Sequence, residues 1–174
     1  MSRTLRGLAL AGAFLAAGAS ADGAEDLIKR WNDVSLDMAM KIAQATLTEC
    51  RSKGFNTAAV VVDRAGDVLV TLRDEDATPQ TAELARRKAY TARVFRSSTL
   101  DWQKRTENDK MLTPQRELHD VIALGGGIPI MLGNETIGGV GSAGSSQPQD
   151  DACARAGVAA FPMLNRGTAN AKGG

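Results

Sequence analysis

The sequence predicts an α+β domain built around a five-stranded, mainly antiparallel sheet. Three observations in the 174 residues lead to this fold class: apolar residues recur at helical spacing near both ends and in the middle, short apolar or β-branched runs lie between the helices, and tight turns separate neighbouring runs. Strands joined by tight turns pair antiparallel, because parallel pairs need a long crossover. The predicted order is α-β-β-α-(α)-β-β-β-α.

The first elements are a helix and a hairpin. Ser35 is typical of an N-cap, and apolar residues at helical spacing after it predict a helix over 36–53, which ends before Gly54. The apolar runs 60–62 and 68–72 then predict two strands, joined by a turn that contains Asp and Gly.

The middle of the chain is predicted to be helical. A helix over 80–97 places Lys88 on a face with Leu84, Thr91 and Phe95, while alanines form another face and permit close packing on a neighbour. We expect a short helix next, capped by Thr99, and a loop over 110–119.

The last part of the chain completes the predicted sheet. Three strands are expected over 121–124, 128–132 and 136–140, with a hairpin turn at Gly133-Asn134. A final helix over 147–160 tolerates Pro148 in its first turn, and residues 162–174 are predicted to be a disordered tail.

The N-terminus has the three marks of a secretory signal peptide over residues 1–21. Arg3 and Arg6 form a basic region, residues 8–17 are a short apolar run, and Ala19-Ser20-Ala21 is a cleavage site. We therefore expect a periplasmic or secreted protein with a loose arm over 22–34. No later stretch is long and apolar enough to span a membrane after cleavage.

Charge argues against a nucleic-acid partner. Of 21 lysines and arginines, two leave with the signal peptide, so 19 basic residues face 20 acidic ones in the mature chain. A nucleic-acid-binding domain is expected to show a clustered basic face.

Two cysteines, Cys50 and Cys153, survive processing. An oxidising compartment favours one disulfide, but two separate buried thiols remain the alternative. Two cysteines are too few for a cysteine-based zinc site.

Glycines at 139, 141 and 144 match the G-x-G-x-x-G pattern of nucleotide-binding loops. That fingerprint requires a second strand and an acidic residue about 20 positions later. The chain ends too soon to supply the strand, so the context favours a strand that turns into the last helix.

Two other residues are candidates for ligand binding. His119, the one histidine, is either an axial ligand to haem iron or a loop residue that lies on the surface or makes a local hydrogen bond. Lys88 either pairs with a carboxylate of a flat apolar ligand, or packs its stem and extends its ammonium group to water.

Five ordered blocks resemble the GlcG/HbpS-like haem-binding and haem-degrading family, related to the PduO C-terminal domain. The blocks are "VVVDRAGDVLVTLRDEDA", "ARRKAYTA", "GGGIPI", "IGGVGSAG" and "QDDACARAG". The resemblance covers 35–161 and implies a profilin-like α/β/α domain, a homo-oligomer, and haem or a related tetrapyrrole bound near the "KAYTA" helix. It also implies that Cys50 and Cys153 meet, since the family places the first and last helices on one side of the sheet.

The matched blocks carry over a set of cofactor-binding residues. They are Lys88, Tyr90 and Thr91 in "KAYTA", Thr99 after that helix, and Gly126 and Gly127 before the Ile-Pro-Ile strand. His119 lies outside the matched blocks and stays a candidate axial ligand. No catalytic residue and no protein metal site is assigned.

The resemblance together with the signal peptide predicts an exported haem-binding protein. Haem could also be degraded slowly on it, with peroxide as the coupled oxidant. The alternative is an accessory or sensory module of an exported system, which binds a small organic ligand or a partner protein.

Overall fold

A computed structural model describes residues 29–165 of the chain. The predicted signal peptide, the start of the predicted arm and residues 166–174 of the predicted tail lie outside this range. The chain divides into two units, residues 1–31 and 32–174. In the first unit, Lys29 Nζ lies 4.2 Å from the centre of a ring of Trp31.

The second unit forms helices and strands in the order α-β-β-α-α-β-β-α, with a short 3₁₀ helix before the third strand. In chain order they are α1 (Leu36–Ser52), β1 (Ala58–Val62), β2 (Val68–Arg73), α2 (Gln80–Phe95), α3 (Thr99–Asn108), the 3₁₀ helix (Thr113–Glu117), β3 (Gly127–Leu132), β4 (Glu135–Ala143) and α4 (Gln147–Ala159).

The sheet is antiparallel throughout, with strand order β2-β1-β4-β3. The predicted α+β class with an antiparallel sheet is therefore confirmed. The predicted number of five strands is wrong, because the sheet within residues 29–165 has four. The profilin-like assignment stays a prediction.

The missing strand is the one expected over 121–124. Its backbone groups bond to side chains of α2 instead of to a neighbouring strand: the amide of Ile122 donates to Thr91 Oγ1 at 2.9 Å, and Arg87 donates to the carbonyl of Val121. The apolar run thus lies along a helix as an extended loop, which a hydrophobic pattern alone does not distinguish from a strand.

Two helical layers cover the two faces of the sheet. All five residues of β1 are buried, and they alternate between the layers. Val61 belongs to a core with residues of α1 and α4, whereas Val60 and Val62 face the alanines of α2. This alternation follows from the two-residue period of a strand.

Helix α2 lies directly on the sheet. A Cβ atom added to Gly141 would lie 2.0 Å from the carbonyl oxygen of Ala85, and one added to Gly139 would lie 2.4 Å from that of Ala89. Both alanines are fully buried. Two of the three glycines of the G-x-G-x-x-G pattern, Gly139 and Gly141, therefore permit close helix packing.

The caps agree only in part with expectation. Ser35 caps α1, since its hydroxyl accepts from the amide of Met38 at 3.3 Å. Thr99 is not the cap of α3: Ser98 occupies that position and accepts from the amide of Asp101 at 3.1 Å. Thr99 is instead fully buried, and its hydroxyl accepts from the amide of Gly127 at 2.8 Å.

Two long-range connections join distant parts of the described chain. Cys50 of α1 and Cys153 of α4 form a disulfide, with their Cα atoms 5.5 Å apart. Asn165, within the predicted tail, contacts the edge strand β3: its backbone amide donates to the carbonyl of Met131 at 2.8 Å, and its side-chain oxygen accepts from the amide of Met131 at 2.7 Å.

Candidate functional site

Lys88 lies in the interior, where α2, α4 and the end of β4 meet. Its residue is 3% exposed. The ammonium group donates to Asp150 Oδ2 at 2.8 Å and to the carbonyl oxygen of Ser142 at 2.9 Å. Lys88 thus neither extends to water nor is free for a ligand carboxylate, because a carboxylate of its own chain already pairs with it.

Asp150 is held on its second oxygen as well. Oδ1 accepts from the hydroxyl of Ser145 at 2.6 Å and from the amide of Ser145 at 3.1 Å. This carboxylate stands in the first turn of α4, where the helix dipole favours negative charge. The pair is therefore supported from both sides, as a buried ion pair must be to offset its desolvation.

Burial controls the electrostatics of the pair. Removal from water lowers the pKa of the Lys88 ammonium group below its ordinary value of 10.5, and the attraction of Asp150 only partly opposes this effect. The Lys88 ammonium group is thus stabilised by its bonded partners, Asp150 and the carbonyl of Ser142, rather than by solvent.

Glycines close the cluster on the sheet side. A Cβ atom on Gly127 would lie 2.2 Å from the carbonyl of Lys88, and one on Gly126 would lie 3.0 Å from Lys88 Nζ. Gly126 also has φ of +122°, which a residue with a side chain rarely adopts. The hydroxyl of Thr99 accepts from the amide of Gly127 at 2.8 Å.

The structure therefore brings together Lys88, Thr99, Gly126 and Gly127, four of the residues carried over from the family. Thr91 lies on the same helix and connects it to the 121–124 loop. The sequence did not identify Asp150 as the partner of Lys88, or Ser145 as a donor to Asp150. Asp150, the first acid in "QDDACARAG", was a usable signal for such a partner, since a buried lysine requires a carboxylate.

Tyr90 and His119 lie outside this cluster. Tyr90 is half-buried on the hairpin side of α2, where a Cβ atom on Gly66 would lie 2.9 Å from its ring. The side chain of His119 is 95% exposed, and its Nδ1 lies 2.7 Å from Asp120 Oδ2.

Asp120 is itself fixed in place. Its other oxygen accepts from Arg86 at 2.6 Å, and Arg86 also pairs with Glu83. Hydrogen bonds from Arg86 and then His119 lower the pKa of Asp120, while Arg86 lowers that of Glu83. Asp120 adopts φ of +64°, a left-handed conformation that Asp tolerates better than most residues.

These arrangements differ in how well they suit haem. The buried cluster offers no space for a macrocycle, because its polar atoms are bonded to the chain and its glycines contact backbone. His119 suits iron better: with Nδ1 donating to a carboxylate, Nε2 is left as the acceptor that binds a metal. Within residues 29–165, no three metal-binding side chains of the His, Cys, Asp and Glu types cluster for an ion.

Comparison with known proteins decides the family. Residues 34–159 match the family described as haem degrading protein HbpS-like. The chain belongs to the HbpS-like family. This confirms the resemblance identified from the five sequence blocks.

Three relatives of this HbpS-like chain illustrate the similarity. A double mutant of HbpS from Streptomyces reticuli is 28% identical, with a TM-score of 0.74 over 91% of this chain and 99% of that one. The PduOC:heme complex is 26% identical, with a TM-score of 0.66 over 75% and 96%. Protein GlcG of Escherichia coli K12 is 29% identical over 62% of this chain and 79% of its own length.

No helix within residues 29–165 of the HbpS-like chain combines the length and apolar character needed to cross a membrane.

Proposed function

We propose that this chain is an exported haem-binding protein. The observation that carries the proposal is membership of a family described as haem degrading, together with similarity to a PduO domain in complex with haem. The same binding is proposed for this chain, because His119, oriented by Asp120, provides an iron ligand.

The proposed iron ligand is Nε2 of His119. Asp120 orients the ring through Nδ1, and Arg86 orients Asp120, which is the usual arrangement behind a metal-binding histidine. Iron in bound haem would supply the redox chemistry, and His119 would hold the iron. The exposure of His119 implies that haem lies against the protein surface or between two copies of a homo-oligomer.

The carried-over residues around Lys88 have a related proposed role. Through Thr91, the helix holds the loop that leads back from His119 to the sheet, since Thr91 Oγ1 accepts from the amide of Ile122. Tyr90 is proposed to contact haem directly, because its ring is half-buried at the surface of the same helix.

A haemin titration tests the proposal. We expect a shifted Soret band that saturates at micromolar haemin, and a loss of the axial-ligand signature in His119→Ala. Met111→Ala is the matched control and should keep that signature, because Met111 is an exposed side chain of a type that also ligates haem iron, at 86% exposure. No Soret shift with the wild-type protein would refute haem binding, and stabilisation by non-tetrapyrrole ligands alone would favour an accessory or sensory module.

Slow haem degradation is a second proposed activity, favoured by the family description. Its test is the decay of the Soret band after addition of peroxide or reductant. Faster loss on the protein than for free haemin, with release of iron, supports the activity. Equal rates would leave binding alone.

Export and assembly are part of the same proposal. The disulfide between Cys50 and Cys153 is typical of proteins in oxidising compartments, in agreement with the signal peptide predicted from sequence. Mass spectrometry of the exported protein should give a chain that starts near Asp22, and light scattering should give a mass above that of one chain. An intact leader would contradict cleavage of a signal peptide, and a strictly monomeric mass would contradict a homo-oligomer.

A further inference from the structure

A polar groove lies at the end of the sheet that carries the two hairpin turns. Its volume is 510 Å³, within the range of small-molecule sites. Three arginines from different parts of the chain line it: Arg64 in the β1–β2 turn, Arg93 in the last turn of α2, and Arg96 directly after α2.

Two of these arginines are held by the chain. Arg64 pairs with Glu135 and also donates to the carbonyl of Asn32 at 3.1 Å. Arg96 donates to the carbonyl of Asn134 at 3.0 Å and to Thr136 Oγ1 at 3.3 Å. Their guanidinium groups are therefore fixed toward the groove before any ligand arrives.

Arg93 differs from the other two. Its Nε atom is buried and has no hydrogen-bond partner, although guanidinium groups are bidentate donors suited to oxyanions. Burial is the largest effect that lowers the pKa of Arg93, and repulsion from Arg64 and Arg96 lowers it further. The chain therefore does not fully satisfy the hydrogen-bonding capacity of the Arg93 guanidinium group, which lines the groove.

The charges of the lining are unbalanced. Three guanidinium groups face one carboxylate, that of Glu135, which already pairs with Arg64. Asp33 and Asp63 also attract Arg93, but more weakly than the like charges repel it. Both carboxylates accept hydrogen bonds from backbone amides of the turns, Asp33 from Arg64 and Asp63 from Gly66.

Arg96 ends helix α2 in a left-handed conformation, as helix C-termini commonly do. Arg96 has φ of +53°, a left-handed conformation that is uncommon for a residue with a long side chain. Its guanidinium bonds to the β3–β4 turn hold it there.

We propose that this groove binds a small dianion, of the carboxylate or phosphate class, with its oxygens between Arg93 and Arg96. Two negative charges would balance the lining, and the oxygens would accept from the guanidinium groups of Arg93 and Arg96. Leu132 is the one apolar side chain of the lining, so the groove suits a polar metabolite rather than the face of a tetrapyrrole. The site is thus additional to the proposed haem-binding function.

Calorimetric titration at low ionic strength tests the proposal, with inorganic phosphate, succinate and acetate as probes of the full-length mature protein. We expect one site that binds at least one dianion more tightly than acetate. Arg93→Gln and Arg96→Asn should each weaken that binding by about tenfold or more, as loss of a charge-assisted hydrogen bond does. Asn suits the left-handed backbone at 96 and keeps the fold.

The probes and variants have distinct outcomes. Tighter binding of phosphate identifies a phosphoryl ligand, and tighter binding of succinate identifies a dicarboxylate. Lys41→Gln, which removes the same charge from the exposed face of α1, should leave both affinities unchanged. The proposal is overturned if neither dianion binds saturably, or if Lys41→Gln weakens binding as much as Arg93→Gln. It is also overturned if the arginine variants lose haemin binding while no dianion binds the wild type.

Discussion

Lys88 Nζ lies 2.8 Å from Asp150 Oδ2, and the two side chains are 4% and 2% exposed. The pair joins the middle of α2 to the first turn of α4 across 62 residues of sequence. Because water does not reach either charge, each depends on the other.

Removal of one member of this pair should destabilise the protein strongly. Lys88→Met leaves the Asp150 carboxylate buried without its cation, and Asp150→Asn leaves the ammonium group unpaired. We expect each to lower the free energy of unfolding by about 3–5 kcal/mol. Urea denaturation of both variants provides the measurement.

The double variant separates the pair from its surroundings. Lys88→Met/Asp150→Asn should be less destabilised than the sum of the single changes, since no unpaired charge remains. Lys53→Gln is the control, because its exposed pair with Glu49 should contribute at most about 1 kcal/mol. Additive effects of the two core changes would contradict an energetic coupling between them.

The same lysine should affect stability at alkaline pH. Its pKa is lower in the folded protein than the ordinary 10.5, so the unfolded chain binds more protons between the two values. The contribution of Lys88 to the free energy of unfolding therefore rises with pH through that window.

Urea midpoints of wild type and Lys88→Met, measured at increasing pH up to 10.5, test this sign. The difference between the two proteins should change in favour of the wild type as pH rises. A constant difference across the window would show that Lys88 has the same proton affinity in the folded and unfolded chains.

Helix and hairpin positions were largely predictable from local pattern. The helices predicted over 36–53 and 80–97 are observed at Leu36–Ser52 and Gln80–Phe95, because their apolar and alanine faces repeat at helical spacing. The strand predicted over 121–124 does not form, since Thr91 and Arg87 bind its backbone. That outcome depends on side chains distant in sequence.

The site was less predictable for the same reason. The periodicity of α2 placed Lys88 on a face with Leu84, Thr91 and Phe95 but left open whether its ammonium group pairs with a carboxylate or reaches water. No local pattern links Lys88 to Asp150. The arginine groove likewise assembles from two turns and a helix end, so its members are scattered in sequence. Tertiary contacts, rather than periodicity, bring such residues together.

Close packing of α2 predicts a severe effect of a small substitution in β4. The Cβ atom in Gly141→Ala would lie 2.0 Å from the carbonyl of Ala85, a backbone atom that cannot turn aside. We expect a loss of stability of about 3 kcal/mol, at the upper end for overpacking. Thermal or urea unfolding measures it.

A glycine without such a neighbour provides the control. Gly133, in the β3–β4 turn, has φ of +58° and no atom within 4 Å of an added Cβ. Gly133→Asn should therefore be nearly neutral, because Asn tolerates the left-handed conformation. Equal stability of Gly141→Ala and wild type would show that α2 does not lie on the sheet at this distance.

The disulfide between α1 and α4 predicts a redox-dependent stability. Cys50 and Cys153 enclose a loop with a sequence separation of 103 residues, so the bond restricts the unfolded chain considerably. Cys50→Ala/Cys153→Ala should lower the free energy of unfolding by about 2–5 kcal/mol. Reductant should destabilise the wild type and leave the double variant unaffected, which separates the bond from the packing of the two side chains. Free-thiol counting under denaturing, non-reducing conditions should find none in the wild type, and two free thiols would contradict the bond.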